Sequence, residues 1–560
     1  MSLLNKTWLI KLRDPSRDVL TKIYENRGIL SPQDREAFLL PAPEECIHDP
    51  FLMEDMEKAV ERIDQAIKNK ERIVIFGDYD ADGVTATAVL VRMLKKIGAQ
   101  VSYRIPHRLK DGYSLKNYFL DELKELDVKV LITVDNGIAA AREIAYANEL
   151  GMDIIVTDHH TPPSKDKLPK AVATLNPKLE GCPYPFKELS GSGVALKLAE
   201  ALGSAFIPDR KERDIFIRTL YQIAIIGLIA DCTPLIGENR AMVKIGLQSM
   251  RQEPIRGLEK LMEIAGVDPK TLNAIGIAFM IAPRLNAAGR LDSAYEALHL
   301  FLNTTETVDE IAKKLHDLNA ERRTITEEFN KEAHLLLAEQ DHTQKMIIVD
   351  SPNWNSGING LIASRLVEKY AKPVIVLADK GDDLVASCRS IEEFNIIAAL
   401  TEVSDLFEHF GGHPGAAGFS IKKEKYAELR KRLFDIAQRE LADTVLKGKI
   451  RLECDISLSE ISWDVFDEMM RLEPFGIGNE KPTFILENTI LEQVKTMGQG
   501  GKHLSFQLPG GIRGVGFNFG EFAGGMRDKS LDIAFQLDIN EWQGKKSLQV
   551  RLVDGRESDM

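Results

Sequence analysis

Short apolar runs and amphipathic stretches alternate along the first third of the chain. Residues 72–76, 101–105, 129–134 and 153–157 are short and rich in β-branched side chains, which predicts strands. Between them Val84, Ala88, Leu90, Val91 and Leu94 recur at helical spacing, and residues 139–150 predict a second helix. Strands alternating with helices of this length predict an α/β unit with a mostly parallel sheet. Upstream, residues 1–70 predict a helical lead-in, with Ser31 at a helix start and Pro41 and Pro43 as a break. Residues from about 190 to 340 are mainly helical in pattern. The stretch 305–339, rich in Glu, Lys, Leu and Ala, reads either as a long helix linking two lobes or as a solvated bundle helix.

A second α/β unit begins at Lys345, with strands at 346–350 and 373–377 around a helix at 360–370, and ends near a glycine-rich loop at 411–418. From about 450 the pattern is all-β, with runs at 483–490, 503–508, 512–517, 532–539 and 547–553. That predicts a small barrel or sandwich. The expected divisions are therefore 1–70, 71–300, 301–344, 345–440 and 450–560. A chain of 560 residues is too long for one hydrophobic core, which agrees with several domains.

Composition narrows the class. No run of 18 apolar residues is present, so no membrane span is expected, and the first residues lack the basic and apolar regions of a secretory signal. Cys46, Cys182, Cys232, Cys388 and Cys454 are scattered with no Cys-x-x-Cys pair, as in reduced cytoplasmic proteins. A formal net charge of −13 argues against nonspecific coating of nucleic acid. It leaves a nuclease and a small-molecule phosphatase equally open, because a metal site concentrates carboxylates.

The informative chemistry lies where apolar runs stop. The segments 73–83, 130–137, 154–160 and 223–231 each read as a strand and close on Asp78-Tyr-Asp-Ala-Asp-Gly83, Asp135-Asn-Gly137, Asp158-His-His160 and Asp231. Ligands bind at the carboxyl ends of strands in open α/β sheets. Carboxylates with imidazole and no thiolate suit Mn²⁺ or Mg²⁺. Taken singly, each segment has a plainer reading. The first could be a calcium-type loop or a helix start capped by Asp82, Asp135-Asn-Gly a turn, and Asp231 a helix terminus. No Gly-x-Ser-x-Gly or Walker lysine loop is evident, so neither a serine nucleophile nor ATP use is indicated.

In this order the three motifs resemble the DHH phosphoesterase superfamily. Residues 282–291, 360–366, 387–391, 410–418 and 472–479 are similar to its RecJ exonuclease branch, a likeness running from about residue 30 to 555. The resemblance implies a parallel-sheet DHH domain, a long connecting helix, a second α/β (DHH-associated) domain and an all-β oligonucleotide-binding-like tail. It implies two ions, Mn²⁺ or Mg²⁺: Asp80 and Asp135 on one, Asp82, His159 and Asp231 on the other, Asp135 bridging. Asp158 and His160 would lie behind the ligands or touch the scissile phosphate. Several superfamily members carry histidine four residues before the Asp80 position. Here that residue is Phe76, and Asp78 could complete the first site.

The implied activity is hydrolysis of single-stranded DNA from the 5′ end to 5′-mononucleotides, in recombination and repair, by a monomer working with a helicase and a single-strand-binding protein. Arg108, Arg284, Asn286, Arg290, Ser387 and Arg389 are candidates for substrate contact, as are Gly411, Gly412 and His413, whose loop reads either as a turn or as a phosphate cradle. In the tail, Phe506, Phe517, Phe519 and Trp542 could stack bases or fill the barrel. Lys502, Arg513, Lys545 and Lys546 would serve the backbone. Two other readings are a phosphodiesterase for short oligonucleotides or cyclic dinucleotides, and a noncatalytic nucleic-acid-binding scaffold.

Overall fold

The computed structural model describes residues 2–39, 42–108, 110–112, 114–303, 305–338 and 343–558; Pro41 and Glu339 lie outside them. After an initial strand, β1 (Thr7–Leu12), five strands build the sheet that carries the acidic motifs: β2 (Arg72–Gly77), β3 (Gln100–Arg104), β4 (Val128–Val134), β5 (Asp153–Thr157) and β6 (Ala173–Leu175). All are parallel, in the order β3-β2-β4-β5-β6. Both faces are covered, as a parallel sheet requires. Ile73 and Ile75 of β2 face the core of helices α1 (Ala81–Lys96), α2 (Gly191–Phe206) and α3 (Arg210–Ala230), while Val74 and Phe76 face the opposite core. The chain leaves β2 first to one side and then to the other, so the crevice at the carboxyl ends of β2 and β4 is the switch point where such sheets bind ligands.

Residues 223–231 are not a strand. They are the end of the 21-residue helix α3. Packed against α1, α2 and neighbouring helices, the run 223–229 is buried all round, and such a run carries no period to separate helix from strand. The backbone also does not stay extended through the first motif, because α1 starts at Ala81 with Asp80, not Asp82, as its N-cap.

Helix α4 (Ala282–Leu291) packs on the 32-residue helix α5 (Thr307–Ala338), about 48 Å long at 1.5 Å per residue. Beyond α5 comes the second sheet: β7 (Ile347–Ser351), β8 (Val374–Lys380), β9 (Asp383–Arg389), β10 (Phe407–His413) and β11 (Ala416–Lys422), in the order β10-β11-β9-β8-β7. Only β7 and β8 are parallel. Helix α6 (Ser356–Tyr370) covers it and packs on α5. The glycine-rich stretch 411–418 is thus a β10–β11 hairpin rather than an open loop.

The third sheet contains β12 (Lys449–Asp455), β13 (Phe484–Ile490), β14 (Glu492–Met497), β15 (His503–Gln507), β16 (Arg513–Gly516), β17 (Ser530–Trp542) and β18 (Lys545–Glu557). Its edge is β1, paired in parallel with β12. The lead-in is therefore not wholly helical. Val19, Ile23 and Tyr24 join the hydrophobic core of this third unit, more than 400 residues away in sequence. Phe506 and Phe519 fill that core, whereas Phe517 and Trp542 are exposed. No described helix is long and apolar enough to cross a membrane.

Candidate metal centre and phosphate pocket

The carboxyl ends of β2, β4 and β5 and the end of α3 converge. Ligand atoms of Asp78, Asp80 and Asp135 lie within 4.8 Å of one another, as do those of Asp82, His159 and Asp231, and those of Asp135, His159 and His160. His159 Nε2 is 3.1 Å from Asp135 Oδ1 and 3.7 Å from Asp231 Oδ2. Phe76 stands apart, its ring packed on Phe119 in the core below, so Asp78 supplies the extra carboxylate on this side.

Local structure fixes each group. Asp80 accepts the backbone N–H groups of Asp82 and Gly83 at the start of α1. Asp82 lies two residues on and accepts from Gly191 (2.7 Å) and Ser192 (3.0 Å), so its charge faces the positive end of α2. Gly191 is required there, because a Cβ would come within 2.6 Å of Asp135 Oδ1. Asp135 has φ +60°, a costly conformation for a residue other than glycine and one that recurs at functional sites. Asp231 ends α3, where the helix dipole disfavours an anion. Asp158 spends its oxygens on the backbone of Ile138, His159 and His160 and on His160 Nδ1. It therefore orients the histidines from behind.

The electrostatics follow from burial of like charges. Burial, with Asp80 beside it, holds the Asp78 carboxyl far above the usual range, and burial among four aspartates does the same to Asp135. Burial lifts Asp82 to about 6 and Asp231 to about 8. His159, buried and next to His160, falls to about 3 and is neutral. Its bond to the Leu189 backbone leaves Nε2 facing the carboxylates with a lone pair. Burial pulls His160 down, but Asp158 outweighs it and the imidazole rises to about 9.

A divalent cation fits this donor set. Asp78 Oδ1 and His159 Nε2 are buried without a hydrogen-bond partner, and both face the cluster. Oxygen and imidazole donors with no thiol suit Mn²⁺ or Mg²⁺. Such an ion would be held by Asp78, Asp80 and Asp135 on one side and by Asp82, His159 and Asp231 on the other.

An arginine cluster flanks the aspartates. Arg290 on α4 is brought down to about 9 by burial and by Arg108, Arg322 and Arg389, with Asp80 opposing. It donates to the Gly357 carbonyl at 2.8 Å, tying the first lobe to the second. Arg389 on β9 lies against α6, its guanidinium 3.1 Å from a Cβ built on Gly360. Arg108 lies over the Tyr79 ring at 4.8 Å. With Arg322 these guanidinium groups concentrate positive charge beside the aspartates. Ser387 shares the Arg389 face of β9.

The other candidates are placed differently. Asn286 accepts from the Ala81 N–H and so shapes the metal loop. Arg284 is buried against α5, donating to Met280 and facing His316 and Arg323. Gly411 and Gly412 lie on β10, where Gly412 has φ +146° and no room for a Cβ, and His413 at its end stacks on His160. In the tail, Lys502, Arg513 and Lys545 are exposed, and Trp542 is 71% exposed at the β17–β18 turn. None of these four lies in the metal cluster.

Sequence reasoning missed Arg322, which reads as one charge on a solvated helix, and Lys178, which acts on both His159 and Asp231. It also missed the α2 N-terminus. There the Ser190-Gly-Ser-Gly193 run was a legible N-cap signal, and Ser190 accepts from Gly193.

A parallel sheet with this cluster at its switch point defines a DHH-type phosphoesterase. Residues 72–228 match the DHH family N-terminal domain, residues 343–439 the DHHA1 domain and residues 452–554 the RecJ OB domain. The single-stranded-DNA-specific exonuclease RecJ of Bacillus subtilis is 39% identical over 91% of this chain, which spans 64% of that relative's length. RecJ of Salmonella typhimurium is 33% identical, over 96% of this chain and 95% of its own. The crystal structure of Thermus thermophilus RecJ with Mn²⁺ is similar at a TM-score of 0.82 and 30% identity, covering 99% of this chain and 80% of that one. The Mg²⁺ complex of the same protein gives 0.75 and 28%, covering 99% and 79%. This chain belongs to the RecJ family.

Proposed function

We propose that this chain is an exonuclease that uses Mn²⁺ or Mg²⁺ to hydrolyse phosphodiester bonds of single-stranded DNA from the 5′ end, releasing 5′-mononucleotides. The observation that carries the reading is the meeting of an O/N ligand cluster with four arginines where two lobes touch. The activity named for the RecJ relatives agrees with it.

When bound, two divalent cations neutralise charge on the phosphate and acidify the attacking water. The protein's own groups do the rest. Arg108, Arg290, Arg322 and Arg389, with Ser387, hold the terminal 5′ phosphate and so set polarity. Protonated His160, aligned by Asp158, hydrogen-bonds the scissile phosphate and offers a proton to the departing 3′ oxygen. Asp135 spans both halves of the ligand set. Asn286, Asp158 and the α2 N-terminus keep the ligands in place before substrate arrives, which supplies much of the advantage of a preformed site. His413 and the β10 glycines close the cleft from the second lobe. Exposed Trp542 and Phe517, with Lys502, Arg513 and Lys545, extend the single-strand surface onto the third unit.

The net charge of −13 suits an enzyme that grips its substrate locally rather than coating it. A helicase and a single-strand-binding protein would supply the substrate, in recombination and repair, to a monomer in the cytoplasm. Incubation of blunt duplex and single strands with Mn²⁺ tests the reading. Single strands should be degraded and the duplex spared, and equal digestion of both would count against it.

A further inference from the structure

Helices α1 and α3 each have one end at the metal cluster, α1 presenting Asp82 in its first turn and α3 ending on Asp231. Away from the cluster both helices line a cavity of about 510 Å³ that none of the roles above uses. Arg92 enters it from α1, about 15 Å along the helix from Asp82 at 1.5 Å per residue. Ile215, Arg218 and Gln222 line it from α3, at the i, i+3 and i+7 spacing that shares one helix face.

The charge in this cavity is unbalanced. Half-buried Arg92 donates to the Phe301 carbonyl at 2.8 Å, but its Nε is buried without a hydrogen-bond partner. Among the described residues no carboxylate pairs with it, and burial alone pulls its pKa below the usual arginine value. Arg218 and Arg256 line the same cavity, held only by partly exposed ion pairs to Glu44 at 2.8 Å and Asp309 at 3.3 Å. Such surface pairs contribute little and are readily exchanged. Glu253 is the one acidic residue in the described lining. Leaving a desolvated guanidinium unmatched is costly, the more so in a chain with a net charge of −13 that has carboxylates to spare.

We propose that this cavity is a second binding site, for a phosphate monoester that carries a ring body of nucleoside size. The phosphate meets Arg92, Arg218 and Arg256, since guanidinium forks suit its oxygens. The ring lies against Ile215, Ile255 and Leu300, which supply the apolar part of the lining. The volume falls in the range of small-molecule sites, about 300–1,000 Å³. The choice of a nucleoside monophosphate rests on the nuclease reading, in which such monoesters are the product. An occupant drawn between α1 and α3 shifts Asp82 against Asp231, and displacement from a preformed geometry lowers the rate. The site therefore acts as a brake that product engages.

The test uses the full chain and thymidine 5′-monophosphate, titrated calorimetrically in chelator. Arg389→Ala is the parent in every binding arm, so that the arginines beside the metal cluster contribute least. Adding Arg92→Met should weaken binding about tenfold to a hundredfold, and adding Arg218→Gln should weaken it severalfold. Methionine removes a desolvated charge, so the melting temperature should not fall. Inorganic phosphate and thymidine, the two halves of the probe, should each bind at least tenfold more weakly than the whole. Parental affinity in the Arg92→Met protein, or either half binding as tightly as the nucleotide, would overturn the assignment. Mn²⁺-dependent digestion provides a second readout, with Arg389 intact. Added thymidine 5′-monophosphate should raise KM and lower kcat for the wild type, but only raise KM for Arg92→Met, whose kcat without nucleotide matches wild type. An equal fall in kcat for both would overturn the brake. Absence of digestion by the wild type would sink the nuclease reading, while the calorimetric arms would still decide whether the cavity takes the monoester.

Discussion

The imidazoles of His160 and His413 lie 7° from parallel with centroids 6.2 Å apart. One ring follows the candidate ligand His159 on the first sheet, and the other ends β10 on the second, so the two lobes meet over the cluster. Burial and the nearby charge of His160 hold His413 below the usual histidine range, so the pair is a cation against a neutral ring. Ring contacts of this kind contribute about 0.5–1.5 kcal/mol. His413→Ala should therefore raise KM for single strands between about twofold and tenfold and leave divalent-ion affinity unchanged. Steady-state kinetics beside calorimetric ion titration would check this. An equal loss of ion affinity would show His413 to be a ligand instead.

Stability of the ion-free protein should fall between about pH 6.5 and 8. Folded Asp231 and His160, raised to about 8 and 9, keep protons that the unfolded chain has lost or is losing, so each loses its stabilising effect as pH rises through that window. His159 acts oppositely, but only where the unfolded imidazole is protonated, below about 6.5. Divalent ions take the place of the protons and should flatten the slope. Melting temperatures in chelator and in Mn²⁺ across this range decide the matter. A flat or rising profile in chelator would contradict the burial argument.

Gly191→Ala tests the scaffold without touching a ligand. The new methyl would overlap the Asp135 carboxylate at 2.6 Å and force the ligand or α2 to move. Overpacking of this kind costs about 1–3 kcal/mol, and a displacement near 1 Å can cost about a hundredfold in rate. Single-turnover rates and chemical denaturation would report both. Wild-type turnover in this variant would show that Asp135 need not stay where the structure places it.

Much of this site was legible because the motifs terminate apolar runs, and a strand end in a parallel sheet is a defined place. Asp78, Asp80, Asp135 and His159 could be named for that reason. Asp231 was found with the wrong element beneath it, since the last turns of α3 are buried all round and have no polar face to give a period of 3.6. Strand β1 escaped because its partner β12 lies far along the chain. Strands β9, β10 and β11 escaped because glycines and small residues dilute their alternation. Arg322 and Lys178 were invisible singly, as only tertiary folding brings them to the cluster.

Arg389→Ala should separate activity from stability in opposite directions. Arg389, Arg108 and Arg290 repel while no anion is bound, so the variant should be at least as stable as wild type. A charge-assisted bond to phosphate contributes about 1.5–3 kcal/mol, so kcat/KM for 5′-phosphorylated strands should fall by about tenfold to a hundredfold. Strands with a free 5′ hydroxyl should be affected far less. Equal losses on both substrates would remove Arg389 from the terminal-phosphate pocket.

Digestion of a single strand labelled at either terminus, in Mn²⁺, in Mg²⁺ and in chelator, tests the central claim most directly. Labelled mononucleotide should appear at once from the 5′-labelled strand, while the 3′-labelled strand shortens progressively and nothing is released in chelator. Undiminished release in chelator, or mononucleotide appearing first from the 3′ label, would contradict the account.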